Sequence, residues 1–176
     1  MNFGKIKLIV LDVDGVLTDG KLYIGANGEI AKGFSVLDGM GISLALKNGI
    51  EVAIITGRSG DIVRYRAHEL GIKHCYIGIK DKNDQLQKLM QTLNVRQDEV
   101  VYMGDDLNDL PSFAIAGVKV AVKNAVEEVL QRADYVTANS GGCGAVREVV
   151  EKILKDQNKW NKIVTEYLQQ GQGDKQ

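Results

Sequence analysis

The 176-residue chain is 44% hydrophobic and 26% charged, an ordinary balance for a folded domain long enough to bury a substantial core. Its formal net charge of −1 offers no electrostatic hold on nucleic acid or an anionic membrane, so neither is an expected partner, and an anionic substrate must be held by local charge or a metal. Cys75 and Cys143 form no Cys-x-x-Cys pair, which argues against a disulfide framework or zinc site. Cys75 reads as a buried small side chain and Cys143 as an incidental loop residue.

The first apolar run, Ile6 to Leu11, is far too short to span a membrane. No signal-peptide pattern precedes it, so the cytoplasm is the expected location. The run predicts a strand and ends on Asp12-Val13-Asp14-Gly15-Val16-Leu17-Thr18. Lys21 to Ile24 and Glu29 to Phe34 then flank Ala26-Asn27-Gly28, whose Asn-Gly pair is a hairpin turn signal. Helical spacing over Met40 to Lys47 precedes a strand over Ile50 to Thr56, which runs into Thr56-Gly57-Arg58. A helix over Asp61 to Leu70, a strand over Cys75 to Ile77 and a helix over Lys82 to Leu93 follow. The strand over Val100 to Met103 ends on Gly104-Asp105-Asp106, with Asp109 opening a helix over Asp109 to Ala116. Two more strands, Val118 to Val122 and Tyr135 to Thr137, complete the alternation.

After Gly144, Val146, Val149, Val150, Ile153 and Leu154 recur at helical spacing, and a second helical stretch carries Trp160, Ile163 and Leu168. The polar end, Gln169 to Gln176, is expected to fray. Near-continuous apolar strands alternating with amphipathic helices predict an α/β fold. The expected architecture is a single Rossmann-like domain over residues 1–176, with a parallel sheet and helices on both faces. A hairpin protrudes at about 20–34, the C-terminal helices and tail occupy about 144–176, and no segment is left for a large cap.

Acids at strand ends carry the functional signal, because ligands of open α/β sheets bind beyond the carboxyl ends of the strands. An isolated Asp-x-Asp is commonly a solvated turn. Here Asp12 and Asp14 end one buried strand while Asp105 and Asp106 end another, and the two clusters would repel at close range. A divalent cation removes that penalty, and magnesium prefers carboxylate oxygen. Thr56 alone could cap a helix, and Lys82 alone could be a surface charge. Beside the acids they supply a hydroxyl and an ammonium for a phosphate group.

Asp12-x-Asp14-Gly15-Val16-Leu17-Thr18, Thr56-Gly57-Arg58, Lys82 and Gly104-Asp105-Asp106-x-x-Asp109 resemble, in order, the motifs of the haloacid dehalogenase superfamily. Asp19-Gly20, Phe34-x-Val36-x-Asp38-Gly39, Ala133-Asp134-Tyr135-Val136-Thr137 and Gly141-Gly142-x-Gly144-Ala145-x-Arg147-Glu148 extend the likeness over about residues 4 to 155. They resemble the capless 3-deoxy-D-manno-octulosonate 8-phosphate phosphatase family. The resemblance implies a Mg2+-dependent hydrolase of a keto-sugar-acid phosphate in lipopolysaccharide precursor synthesis. Asp12 would be the nucleophile and Asp14 the acid and base, while Thr56 and Lys82 would hold the phosphoryl group. Asp12, the Asp14 carbonyl and Asp105 would ligate the metal, with Asp106 and Asp109 orienting them from behind. Ser35, Val36, Leu37, Asp38, Gly39, Ser43, Arg58 and Arg66 would contact the sugar phosphate together with Asp14 and Lys82. It also implies a homotetramer in which hairpins pack together and neighbouring subunits cover each site. A hairpin folded back on its own domain is the alternative.

Leu37, Ser43 and Cys143 stand where many relatives carry basic residues, which leaves open another nonulosonate or sugar phosphate as substrate. A phosphoaspartate receiver or binding module also places acids, a threonine and a lysine at sheet ends. The order here differs from that class: the threonine precedes the lysine, and the second acidic pair follows both. Asp14 also supplies an acid–base group that a receiver does not need.

Overall fold

The computed structural model describes residues 2–170. In chain order the elements are β1 (Leu8–Leu11), β2 (Tyr23–Gly25), β3 (Gly28–Ala31), α1 (Val36–Lys47), β4 (Glu51–Ile55), α2 (Asp61–Glu69), β5 (His74–Tyr76) and α3 (Lys82–Leu93). They continue with β6 (Val100–Gly104), α4 (Leu110–Phe113), β7 (Val118–Ala121), α5 (Glu127–Leu130), β8 (Tyr135–Val136), α6 (Ala145–Asp156) and α7 (Trp160–Gln170). Every residue of β1 and β6 is buried, as parallel strands covered on both faces require.

The main sheet has the order β5-β4-β1-β6-β7-β8, and all of its pairings are parallel. The connections run outward from β1 through β4 to β5, then cross to β6 and run outward the other way. That reversal is the topological switch, and it opens a crevice beyond the carboxyl ends of β1, β4 and β6. Right-handed crossovers put helices on opposite faces for the two directions. Accordingly α1 packs on α6 and α3 on α4. One hydrophobic cluster runs through both layers.

Several boundaries differ from expectation for local reasons. Helix α1 starts at Val36 rather than Met40, because the Ser35 hydroxyl accepts from the amides of Leu37 and Asp38 and caps the first turn. The expected helix from Asp109 to Ala116 is broken into a 3-10 turn, Leu107–Asp109, and the short α4. Pro111 enforces the break, since it has no N–H to donate and suits only a first turn. The hairpin ladder stops at Ala31 instead of Phe34, because Lys32 turns inward. Gln169, expected in the polar tail, lies in α7, and 171–176 fall outside the described residues. Cys75 is only half-buried, while Cys143 is exposed in a loop.

Candidate active site

The loop after β1 is a tight knot. Thr18 Oγ1 accepts from the amides of Gly15 and Gly20 and donates to the Val13 carbonyl. Gly15 sits at φ +90, and a Cβ there would lie 1.9 Å from Asp105 Oδ2. A glycine is therefore what allows the two acidic loops to meet. Above them, the amide of Gly142 donates to the Val16 carbonyl at 2.9 Å, and a Cβ on Gly141 would strike the Gly15 carbonyl at 1.6 Å. The segment leading into α6 thus lies directly on the loop that carries Asp14.

Asp12 is 5% exposed. Its Oδ1 accepts from the Val13 amide at 2.7 Å, and its Oδ2 lies 2.7 Å from Lys82 Nζ. Lys82 Nζ also donates to Asp109 Oδ1 at 2.8 Å. Burial and the Asp109 charge push the Asp12 carboxyl up to about 6, although Lys82 and the Val13 amide pull the other way. Burial, then the charges of Asp12, Asp109 and Asp106, push Asp105 up to about 7. For Lys82 burial opposes the charge, but Asp12 and Asp109 outweigh it and hold the ammonium above its usual value.

Carboxylate oxygens of Asp12, Asp105 and Asp109 gather within 4.8 Å of one another. Asp109 is the least available of them as a ligand, because its oxygens already receive four donors: Lys82, the Tyr102 hydroxyl and the amides of Asp105 and Asp106. Asp105 is the reverse case, since its Oδ1 is buried without a hydrogen-bond partner among the described residues. A buried acid with an orphaned oxygen beside a second acid is a donor set that fits a hard divalent cation. Asp109 instead orients Lys82 and the Asp105 loop. Asp106 is exposed, and its side chain caps the 3-10 turn by accepting from the Leu107 amide.

Asp14 is not one of the three clustered acids. Its Oδ1 meets Lys32 Nζ, and its Oδ2 lies 3.6 Å from Arg58 Nε. Lys32 also lies 2.9 Å from Glu29 Oε1. Burial pushes the Lys32 ammonium down, but the hydrogen bond to Asp14 and the neighbouring Glu29 carboxylate more than restore it. The hairpin is thereby folded onto its own domain at its base, while Ile24 and Ile30 stay 61% and 68% exposed.

Asp12, Asp14, Thr56, Arg58, Asp105 and Asp106 line a crevice of about 240 Å³. A wider groove of about 880 Å³, lined by Arg96, Phe113, Lys119 and Arg132, lies at the opposite ends of β6 and β7 and gathers no comparable acid cluster. Of the expected sugar contacts, only Asp14 and Arg58 line the Asp12 crevice. Ser35, Asp38, Gly39 and Arg66 surround a separate gap of about 10 Å³ between α1 and α2, too small for a sugar. Asp38 accepts from the amides of Gly144 and Arg147 at 3.2 and 2.9 Å and so caps α6. Arg66 lies over the Phe34 ring and pairs with Glu69. Val36 and Leu37 are exposed on the first turn of α1, and Ser43 is half-buried further along it. None of the three lines the crevice.

Sequence reasoning missed Lys32, Glu29 and Tyr102. Tyr102 left a signal: it is a hydroxyl-bearing residue in an otherwise apolar central strand, and such a hydroxyl needs a partner. The two hairpin charges left none, since charged residues on a short hairpin are ordinarily solvated.

A strand-end acidic loop, a threonine, a lysine and a second acidic loop around one crevice define a haloacid dehalogenase-like hydrolase, and the family described in those words matches residues 78–150. The 3-deoxy-D-manno-octulosonate 8-phosphate phosphatase of Escherichia coli K12 is 49% identical over 154 residues, covering 88% of this chain and 82% of that protein. The corresponding phosphatase of Moraxella catarrhalis, solved with magnesium, phosphate and KDO, superposes with a TM-score of 0.90 at 42% identity, covering 94% of this chain and 95% of that one. A cobalt-bound form of the Haemophilus influenzae phosphatase superposes at 0.89 with 41% identity, covering 91% and 94%. The chain belongs to the 3-deoxy-D-manno-octulosonate 8-phosphate phosphatase family.

Proposed function

We propose that this protein is a Mg2+-dependent phosphatase that releases phosphate from 3-deoxy-D-manno-octulosonate 8-phosphate, through an aspartyl-phosphate on Asp12. The observation that carries the chemistry is the placing of Asp12 between Lys82 and the partnerless Asp105 oxygen at the floor of an open crevice. Family membership carries the choice of substrate.

Asp12 attacks the phosphorus while Thr56 and Lys82 hold phosphoryl oxygens and offset the charge that develops on them. Asp14 gives a proton to the departing sugar oxygen and then takes one from the water that hydrolyses the aspartyl-phosphate. Asp12, Asp105 and the Asp14 carbonyl are the residues that would hold Mg2+, which supplies counter-charge to the carboxylates and the phosphoryl group. Asp109 keeps Lys82 aimed at Asp12 throughout.

The protein functions as a homotetramer in the cytoplasm in this reading. Leu22, Tyr23, Ile24 and Ile30 are exposed on the hairpin, an apolar surface that two strands alone do not stabilise in water. Packing hairpins together would bury it. Among the described residues no helix is long and apolar enough to cross a membrane.

The test is phosphate release from a panel of sugar phosphates, with magnesium or a chelator, for the wild type and Asp12→Asn. The octulosonate 8-phosphate should be turned over best, only with the metal, and not by the variant. Preference for a different sugar phosphate would overturn the substrate assignment, and substantial turnover by Asp12→Asn would overturn the nucleophile.

A further inference from the structure

We propose that Lys32 is a positioning residue for the reaction: its buried ammonium fixes the Asp14 carboxylate for proton transfer and ties the hairpin to that step. The inference rests on the reading of Asp14 as acid and base.

Lys32 directly follows β3, on which Ile30 is 68% exposed while the Glu29 side chain is 11% exposed. The Lys32 side chain is nonetheless only 1% exposed. An ion pair within the hairpin needs no such burial, because Glu29 lies three positions away on the same segment. Lys32 instead reaches back 18 positions to Asp14 Oδ1, while Glu29 steadies it from behind. The partner on the other Asp14 oxygen, Arg58, has a side chain 47% exposed and stands 3.6 Å away. Asp14 is therefore gripped on Oδ1 by a fixed cation and faced on Oδ2 by a freer one that can swing to an anionic substrate. With Oδ1 committed, Oδ2 is the oxygen left to handle protons.

Both half-reactions need that oxygen in one place. In the first, a bond forms between an Asp12 oxygen and phosphorus, the phosphorus–sugar oxygen bond breaks, and the proton on Asp14 Oδ2 passes to the sugar oxygen. In the second, water oxygen bonds to phosphorus, the Asp12–phosphorus bond breaks, and Asp14 Oδ2 recovers a proton from the water. Lys32 takes part in neither transfer. It holds the carboxylate while Arg58 turns to substrate, and it makes that hold depend on the seat of the hairpin.

The test uses Lys32→Met, Lys32→Arg, Asp14→Asn and the Lys32→Met/Asp14→Asn double variant in stopped flow, with magnesium and p-nitrophenyl phosphate. Nitrophenolate departs without needing a proton donor, so its first release tolerates a misplaced Asp14, whereas hydrolysis of the aspartyl-phosphate does not. Lys32→Met should give a burst of about one nitrophenolate per site. Its steady rate should then be slower by roughly ten- to a hundredfold, with KM little changed. Lys32→Arg should recover most of the steady rate. In the Asp14→Asn background, Lys32→Met should change the rate by less than about twofold, as expected of two residues acting as one unit. Wild-type turnover by Lys32→Met, equal slowing of both phases without a burst, or independent effects in the double variant would each overturn the inference while leaving Asp14 in its role. Wild-type turnover by Asp14→Asn would instead remove the acid–base reading and the inference with it. If Lys32→Met does not fold, Lys32→Gln is read by the same criteria.

Discussion

The hydroxyl of Tyr102 donates to Asp109 Oδ1 at 2.9 Å, and that same oxygen receives Lys82 at 2.8 Å. An aromatic residue buried in the central sheet thus backs the ammonium that meets Asp12. Tyr102→Phe keeps the ring and removes the donor. It should cost about 1 kcal/mol of stability, the usual worth of one internal hydrogen bond, and lower turnover less than Lys82→Ala does. Urea unfolding midpoints beside steady-state rates measure both, and a Tyr102→Phe protein as slow as Lys82→Ala would contradict this ranking.

The buried acids set a pH dependence that runs against the usual direction. In the folded chain Asp12 is raised to about 6 and Asp105 to about 7, from an ordinary aspartate value of 3.8. Between about pH 4 and pH 7 the folded state therefore binds more protons than the unfolded one, and stability falls as pH rises through that window. Acids held low by their partners, such as Glu99 and Glu148, have already contributed their stability by about pH 5. With a chelator present, the urea midpoint should be lower at about pH 7.5 than at about pH 5. Magnesium should raise it far more at the higher pH, where the carboxylates are ionised. Equal midpoints at both pH values in chelator would show that the acids are not strained by burial.

Asp38 separates a structural role from a substrate contact. It is 1% exposed and joins α1 to the start of α6. Asp38→Ala strands the buried Gly144 amide and the part-buried Arg147 amide and should cost about 1–3 kcal/mol. It should leave the KM for p-nitrophenyl phosphate unchanged, because the crevice around Asp12 is lined by other residues. Thermal unfolding and a Michaelis curve decide the matter; a raised KM with unaltered stability would return Asp38 to the substrate.

The hairpin offers a test of assembly. Glutamate at Ile24 and Ile30 places charge on the surface proposed to join subunits, and should dissociate the tetramer in sedimentation. Turnover of the sugar phosphate should fall more than that of p-nitrophenyl phosphate, since Asp12, Lys82 and Asp14 all belong to one chain. A wild-type protein that sediments as a monomer with full activity would exclude the tetramer.

What the sequence revealed and what it hid divide along physical lines. β1 and β6 were legible because a parallel strand buried on both faces is apolar at nearly every position, and the acids at their ends were conspicuous for the same reason. Lys32 was not, because its burial depends on a hairpin folding over a loop 18 positions earlier. Asp38 looked like part of a recognition segment, since its partners lie 106 and 109 positions away. Neither periodicity nor composition records a contact of that range. The start of α1 was available in principle: Ser35 three positions before Asp38 is a helix-entry pattern.

The contact of Gly141 and Gly142 with the loop around Gly15 bears on when activity can first arise as the chain emerges from the ribosome. A nascent chain ending at residue 140 already contains every carboxylate named in the site, together with Thr56, Lys82 and both hairpin strands. It lacks the segment that lies on the Gly15 carbonyl and the α6 amides that fasten Asp38. Synthesis runs from the amino end at about 5–20 residues per second, so the loop after β1, made roughly 120 residues earlier, waits several seconds, unclamped, for the segment that begins at Gly141. The seat of the loop that carries Asp12 and Asp14 is therefore completed late, when the Gly141–Gly142 segment is laid across it.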